Sequence, residues 1–144
     1  VFTGQAASTV KLVNEVFALR EADPEKYRAM MDELLDQATQ GARQVQEGDA
    51  SGFMTTAAGY LESLSALGTA AGVPIVTEPH RRAAGIVGGH GGTYKSSGAG
   101  GGDIGLGFFP DTAGAEAAKE QLEESGLTVL ELEVGAPGVE LSVS

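Results

Sequence analysis

The sequence predicts an α+β domain: a ferredoxin-like antiparallel sheet of about four strands, with helices packed mainly on one face and further helices at the N-terminal end. Three observations lead there. Apolar residues recur at helical spacing from Ser8 to about Ala71. From about Thr93 to Ser144, strand-like and helix-like segments alternate. The helical half carries no second apolar layer of its own, so it is expected to pack on the sheet, and residues 1–144 read as a single domain.

The elements follow in order. Ser8 or Thr9 caps a first helix that runs to about Arg20, with Val10, Val13 and Phe17 on its apolar side. Asp23 caps a second helix with Pro24 at its first position, and Tyr27, Met30, Met31, Leu34, Leu35, Ala38, Ala42 and Val45 carry the helical period to Gly48. Asp49 or Ser51 starts a third helix, which Gly72 ends and Pro74 forbids to continue. Thr77 caps a fourth, which Gly88-Gly89 dissolve. His80, Arg81 and Arg82 in its first turn read as a small basic cluster on a solvated face. Tyr94–Ser97 and Ile104–Phe109 read as strands on either side of a glycine loop. Pro110-Asp111-Thr112 make a turn and cap, Ala113–Glu124 a fifth helix, and Gly126 its stop. Leu127–Val134 and Val139–Val143 alternate apolar and polar residues, as strands with one wet face do.

Composition narrows the function. The net charge is −11 and only 9 Lys and Arg are present, scattered along the chain, so the basic face of a nucleic-acid binder is missing. The longest apolar runs fall far short of a membrane span, and no secretory leader opens the sequence. Cysteine is absent, which removes disulfides and thiolate metal sites. His90, between glycines, has no second ligand at matching spacing, so no metal site is read from the residues. A cytoplasmic protein with neither nucleic-acid nor membrane partners is expected. The chain begins at Val1, and Val1-Phe2-Thr3 reads as the end of a strand, so a piece of a longer protein is expected.

The chemistry concentrates in Lys95-Ser96-Ser97-Gly98-Ala99-Gly100-Gly101-Gly102-Asp103. With almost no Cβ atoms, the backbone of Gly98–Gly102 admits left-handed dihedrals and lets a ligand approach closely. Successive amides in such a loop turn inward to form an anion-binding hollow. Lys95, Ser96 and Ser97 add side-chain donors at its edge. The loop lacks the Gly-Lys-Ser/Thr ending of a Walker A motif. A strand rather than a helix follows it, so it is not a dinucleotide fingerprint either. Ser8 and Thr9, at the start of the first helix, are candidates for capping and for contact with a second anionic group.

The same residues resemble a known family. Lys95–Asp103 is similar to the third conserved motif of the GHMP kinases, and with Asp103 after the glycines it looks most like the phosphomevalonate kinase branch. Phe2-Thr3-Gly4-Gln5-Ala6-Ala7-Ser8-Thr9 is similar to that branch's Trp-Thr-Gly-x-x-Ala-Ser-Thr segment, with Phe2 in place of Trp. Ile104 stands where a cysteine is common. The resemblance covers essentially the whole chain, as the C-terminal half of such a kinase. It implies ATP and Mg²⁺ as cofactors, bound mainly by an N-terminal kinase domain outside this chain, which also supplies the catalytic groups. The implied reaction moves the γ-phosphoryl group of ATP onto 5-phosphomevalonate. The implied substrate and phosphate contacts are Lys95, Ser96, Ser97, Gly98, Ala99, Gly100, Gly101, Gly102, Asp103, Ser8 and Thr9, with no catalytic residue in this chain. Another GHMP kinase, acting on mevalonate or homoserine, and a stand-alone non-catalytic ferredoxin-like binding module are the alternatives. On the phosphomevalonate reading, Lys95→Ala in the full-length protein is expected to cut turnover strongly; full activity would remove Lys95 from the mechanism.

Overall fold

Local signals set the helix ends. A computed structural model describes residues 1–4, 6, 8–132 and 138. Its helices are α1 (Thr9–Ala22), α2 (Pro24–Glu47), α3 (Ala50–Ala71), α4 (Glu78–Gly89) and α5 (Thr112–Glu124), and its strands are β1 (Thr93–Ser96) and β2 (Gly105–Phe108). Asp23, Asp49 and Asp111 each accept an otherwise orphaned first-turn amide, from Lys26, Gly52 and Gly114 respectively. Gly48 and Gly72 close α2 and α3 in the left-handed conformation, at φ 74° and 68°. Gly88 and Gly89 do not dissolve α4; they complete it, and the chain turns at His90 and Gly91.

Helices α2 and α3, joined by Gly48 and Asp49, form an antiparallel αα-hairpin. Gly41 faces Phe53 and Thr56 across the seam, and Gln37 Nε2 donates to Ser63 Oγ at 3.1 Å. Leu12 and Leu19 of α1 meet Leu34, Leu67, Val73 and Ile75 in one buried cluster. The helical half therefore does have an apolar core of its own, contrary to the expectation from its sequence. Three amphipathic helices suffice for it because the Val73–Ile75 connector supplies the fourth wall.

A second cluster joins Ala83 and Val87 of α4, Tyr94 of β1, Leu122 of α5 and Leu127. Strands β1 and β2 pair antiparallel, Thr93 opposite Phe108 and Ser96 opposite Gly105. Because strand side chains alternate, Tyr94 and Ser96 face α4 while Lys95 faces the other way. On that second face Phe108 meets Phe53 of α3 edge-on, ring centroids 5.0 Å apart. Helices thus cover both faces of the hairpin rather than mainly one, since both faces carry large apolar side chains that need burial.

Phe2 extends this hairpin by isolated bridges to Ile104 on one side and Thr128 on the other. Its amide donates to Thr128 O at 2.7 Å, and the Thr3 amide donates to Asp103 O at 2.8 Å. The architecture is α+β and mostly helical, with a two-stranded antiparallel sheet among the described residues. Of the alternating segment at 127–134, only the Thr128 bridge is ordered as sheet within the described part. The strand expected at Val139–Val143 lies outside the described residues.

Leu67 is 4 % exposed at the centre of the helical core. Leu67→Ala is expected to cost about 2–5 kcal/mol. Urea unfolding should show a lower midpoint with an unchanged slope.

Candidate functional site

The glycine loop closes a cavity of about 340 Å³ lined by Phe2, Thr9, Ser97, Gly98, Ala99, Gly100, Gly102, Asp103 and Ile104. The loop is anchored at three points. The Ser97 amide donates to Ile104 O at 2.9 Å, which closes the neck of the hairpin. The Gly101 amide donates to Ile75 O at 2.7 Å, which ties the loop to the connector between α3 and α4. The third anchor is the side chain of His80, bonded to Gly102 O at 3.0 Å. Among the described residues, the amides of Gly98, Ala99, Gly100, Gly102 and Asp103 have no hydrogen-bond acceptor in the protein.

Glycine is required at specific places here. Gly100 and Gly101 sit at φ 78° and 80°. A Cβ on Gly100 would overlap the carbonyl oxygen of Ile75, and one on Gly101 would press on Leu12 at 2.8 Å. Backbone therefore packs on backbone under the loop, and its upper side is left bare. Asp103 follows at φ 60°, the sole non-glycine residue with positive φ among those described. Such a conformation costs energy that the surroundings must offset.

Thr9, the first residue of α1, lines the same cavity. Ser8 occupies the N-cap position, but its side chain makes no capping hydrogen bond. The start of a 14-residue helix therefore faces the glycine loop with first-turn amides that Ser8 does not satisfy. Both walls of the cavity offer N–H groups, and the helix dipole favours negative charge at this end.

The sequence-predicted site residues divide. Thr9, Ser97, Gly98, Ala99, Gly100, Gly102 and Asp103 converge on the cavity. Gly101 turns its amide away, into Ile75. Ser96 is 1 % exposed and lies on the α4 face, its hydroxyl buried without a partner among the described residues. Lys95 points to the opposite face, into a separate cavity of about 350 Å³ lined by Gln37, Phe53, Tyr60, Leu106 and Phe108 among others. Its ammonium donates to Ser96 O at 2.7 Å, and burial lowers its pKa. A contribution from Lys95 to the glycine cavity would require that side chain to leave Ser96. A further cavity of about 480 Å³ between α1, α2 and α3 is apolar and touches the loop only through Ala99, so it offers an anion little.

His80 corrects the sequence reading most. It is fully buried rather than part of a solvated basic face. Its Nδ1 lies 2.7 Å from the Tyr94 hydroxyl and its Nε2 3.0 Å from Gly102 O. A carbonyl only accepts, so Nε2 carries the proton, and the neutral ring accepts the Tyr94 hydroxyl proton at Nδ1. Tyr94 reaches His80 across Gly105, where any Cβ would overlap its hydroxyl. Desolvation lowers the His80 pKa, partly countered by the Gly102 hydrogen bond and the Asp103 carboxylate. Burial likewise raises the pKa of Tyr94, which stays a neutral donor. The missed signal was the helical period: His80, Ala83 and Val87 recur three and four residues apart, on one buried face of α4.

No family model and no curated protein matches the chain. Among solved structures, the crystal structure of a Lin0012 protein from Listeria innocua superposes with a TM-score of 0.88 at 30% sequence identity, over 93% of this chain. The match covers 38% of the Listeria chain, so the present sequence spans little more than a third of that protein's length.

The neutral imidazole links stability to pH. An unfolded histidine titrates near about 6.5. The folded pKa is lower, so below about that pH the unfolded chain binds a proton that the folded one refuses. Stability is therefore full at higher pH and falls as pH drops toward the lowered folded value, by at most about 1.4 kcal/mol per pH unit from this group. Urea midpoints compared on either side of that range should fall in the wild type and fall less in His80→Gln.

Proposed function

We propose that this chain is the C-terminal, substrate- and phosphate-binding part of an ATP-dependent small-molecule kinase of the GHMP type, read best as phosphomevalonate kinase. The observation that carries the reading is the cavity wall of unsatisfied amides at Gly98, Ala99, Gly100 and Gly102, opposite the start of α1. A net acidic chain makes this arrangement informative, since charge as a whole would repel a phosphorylated ligand and only local donors favour it. Of the two segments that suggest the family, Ser97, Gly98, Ala99, Gly100, Gly102 and Asp103 of one and Phe2 and Thr9 of the other line the same cavity.

Transfer of a phosphoryl group between two anionic partners depends on positioning and on neutralising charge. Fixed amides do this without reorganising as charge builds. In this reading the glycine loop and the α1 terminus hold phosphate oxygens of the acceptor or donor, and Ser97 adds a hydroxyl at the rim. ATP and Mg²⁺ belong mainly to a part of the longer protein beyond this chain. Among the described residues no group of three or more His, Asp or Glu side chains could hold a metal ion, so no step is assigned to one here. The four-stranded ferredoxin-like sheet also belongs to this reading, in the order β1, β2, Val1–Thr3 and the segment at Thr128, since Phe2 bridges both Ile104 and Thr128. Its partners are the phosphorylated small molecule, ATP and the chain's own N-terminal kinase domain, in the cytoplasm. No helix among the described residues is long and apolar enough to cross a membrane.

The test is a substrate panel on the full-length protein with ATP and Mg²⁺. ADP release is expected with 5-phosphomevalonate and not with mevalonate or homoserine. Turnover confined to one of the other acceptors would move the protein to another branch, and no ATP consumption with any of them would overturn the kinase assignment.

A further inference from the structure

We propose that His80 is a positioning residue that fixes the orientation of the Gly102–Asp103 peptide, so that its N–H rather than its C=O faces the glycine cavity. The inference rests on reading that cavity as an anion site, and it concerns a residue outside the glycine motif.

The geometry runs through one peptide plane. His80 Nε2–H holds Gly102 O from the buried side, beneath the loop. The described chain contains no cis peptide, so the N–H of Asp103 points opposite to that carbonyl, away from His80. Asp103 lines the cavity, and its amide has no acceptor in the protein among the described residues.

The backbone prefers the reverse. Asp103 is held at φ 60°, and rotating the peptide plane by half a turn would carry it back toward the ordinary negative-φ region. Gly102, at φ 144°, has no Cβ to resist that rotation. Flipped, the plane would present a carbonyl oxygen to the cavity and repel an anion. The His80 contact is what opposes the flip. Tyr94 completes the device: by donating to Nδ1 it leaves the imidazole proton on Nε2, where Gly102 needs it. The Asp103 carboxylate also acts on the ring, favouring its protonated form.

The experiment compares two substitutions in the full-length protein, with inorganic pyrophosphate as the probe. The amide nitrogen of glutamine can take the place of Nε2, whereas that of asparagine falls short. His80→Gln is expected to bind pyrophosphate within about threefold of wild type, and His80→Asn about tenfold more weakly, the worth of one good hydrogen bond. In ligand-free protein the Asp103 amide resonance should shift in His80→Asn and stay near its wild-type position in His80→Gln. Adding Asp103→Gly to His80→Asn removes the strain that drives the flip, and should restore binding to within about threefold of wild type. A merely structural histidine would give equal losses for Gln and Asn, an unmoved Asp103 amide and no rescue; that result overturns the proposal. The ligand-free amide signal judges His80 by itself on whatever fraction folds, as checked by thermal unfolding. Failure of wild type to bind pyrophosphate would instead overturn the anion reading.

Discussion

A buried imidazole holds the architecture of the site together. His80 ties together three successive elements: its own helix α4, strand β1 through Tyr94, and the glycine loop through Gly102. None of the three could close the cavity alone. A loop of bare backbone has high conformational entropy when free. It becomes a shaped surface only when anchored from below, and here the anchors are His80, Ile75 O and Ile104 O. Spending donors and acceptors on the underside leaves the upper amides without an acceptor in the protein among the described residues. The same economy explains the glycines around the loop: a Cβ on Gly100, Gly101 or Gly105 would run into Ile75 O, the Leu12 side chain or the Tyr94 hydroxyl.

The helical half serves this site indirectly. Its core of leucines fixes α1 against α2 and α3, which brings the α1 terminus over the cavity. Ile75 belongs to that core with its side chain and to the loop with its carbonyl. One residue thus couples the packing of the helices to the shape of the loop. Arg81 strengthens the joint by donating to Val76 O at 2.6 Å.

Much of this was legible in the sequence, and the division is physical. Helix ends were readable because capping is local: Asp23 with Pro24, Asp49, Asp111, Gly48 and Gly72 act on neighbours three or four residues away. The glycine loop was readable because its composition has few other uses. What was not readable depended on tertiary contacts. Burial of His80 follows from α4 packing on β1, although its spacing from Ala83 and Val87 carried a hint. The alternation of β1 also carried the direction of Lys95: once Tyr94 and Ser96 turn toward α4, the Lys95 side chain must leave the strand on the opposite face. Ser8 looked like a cap by type and position, yet its hydroxyl caps nothing. The pairing of Phe2 with Ile104 and Thr128 joins residues about a hundred positions apart, beyond the reach of any local pattern.

The central claim is that the free loop amides receive negatively charged oxygens. Titrating ¹⁵N-labelled protein with inorganic pyrophosphate while following the loop amides tests it most directly. The account predicts saturable downfield shifts for Gly98, Ala99, Gly100 and Gly102, with Gly101 little changed because Ile75 already holds it. Unmoved loop amides at saturating pyrophosphate, or shifts confined to the surroundings of Lys95, would contradict it.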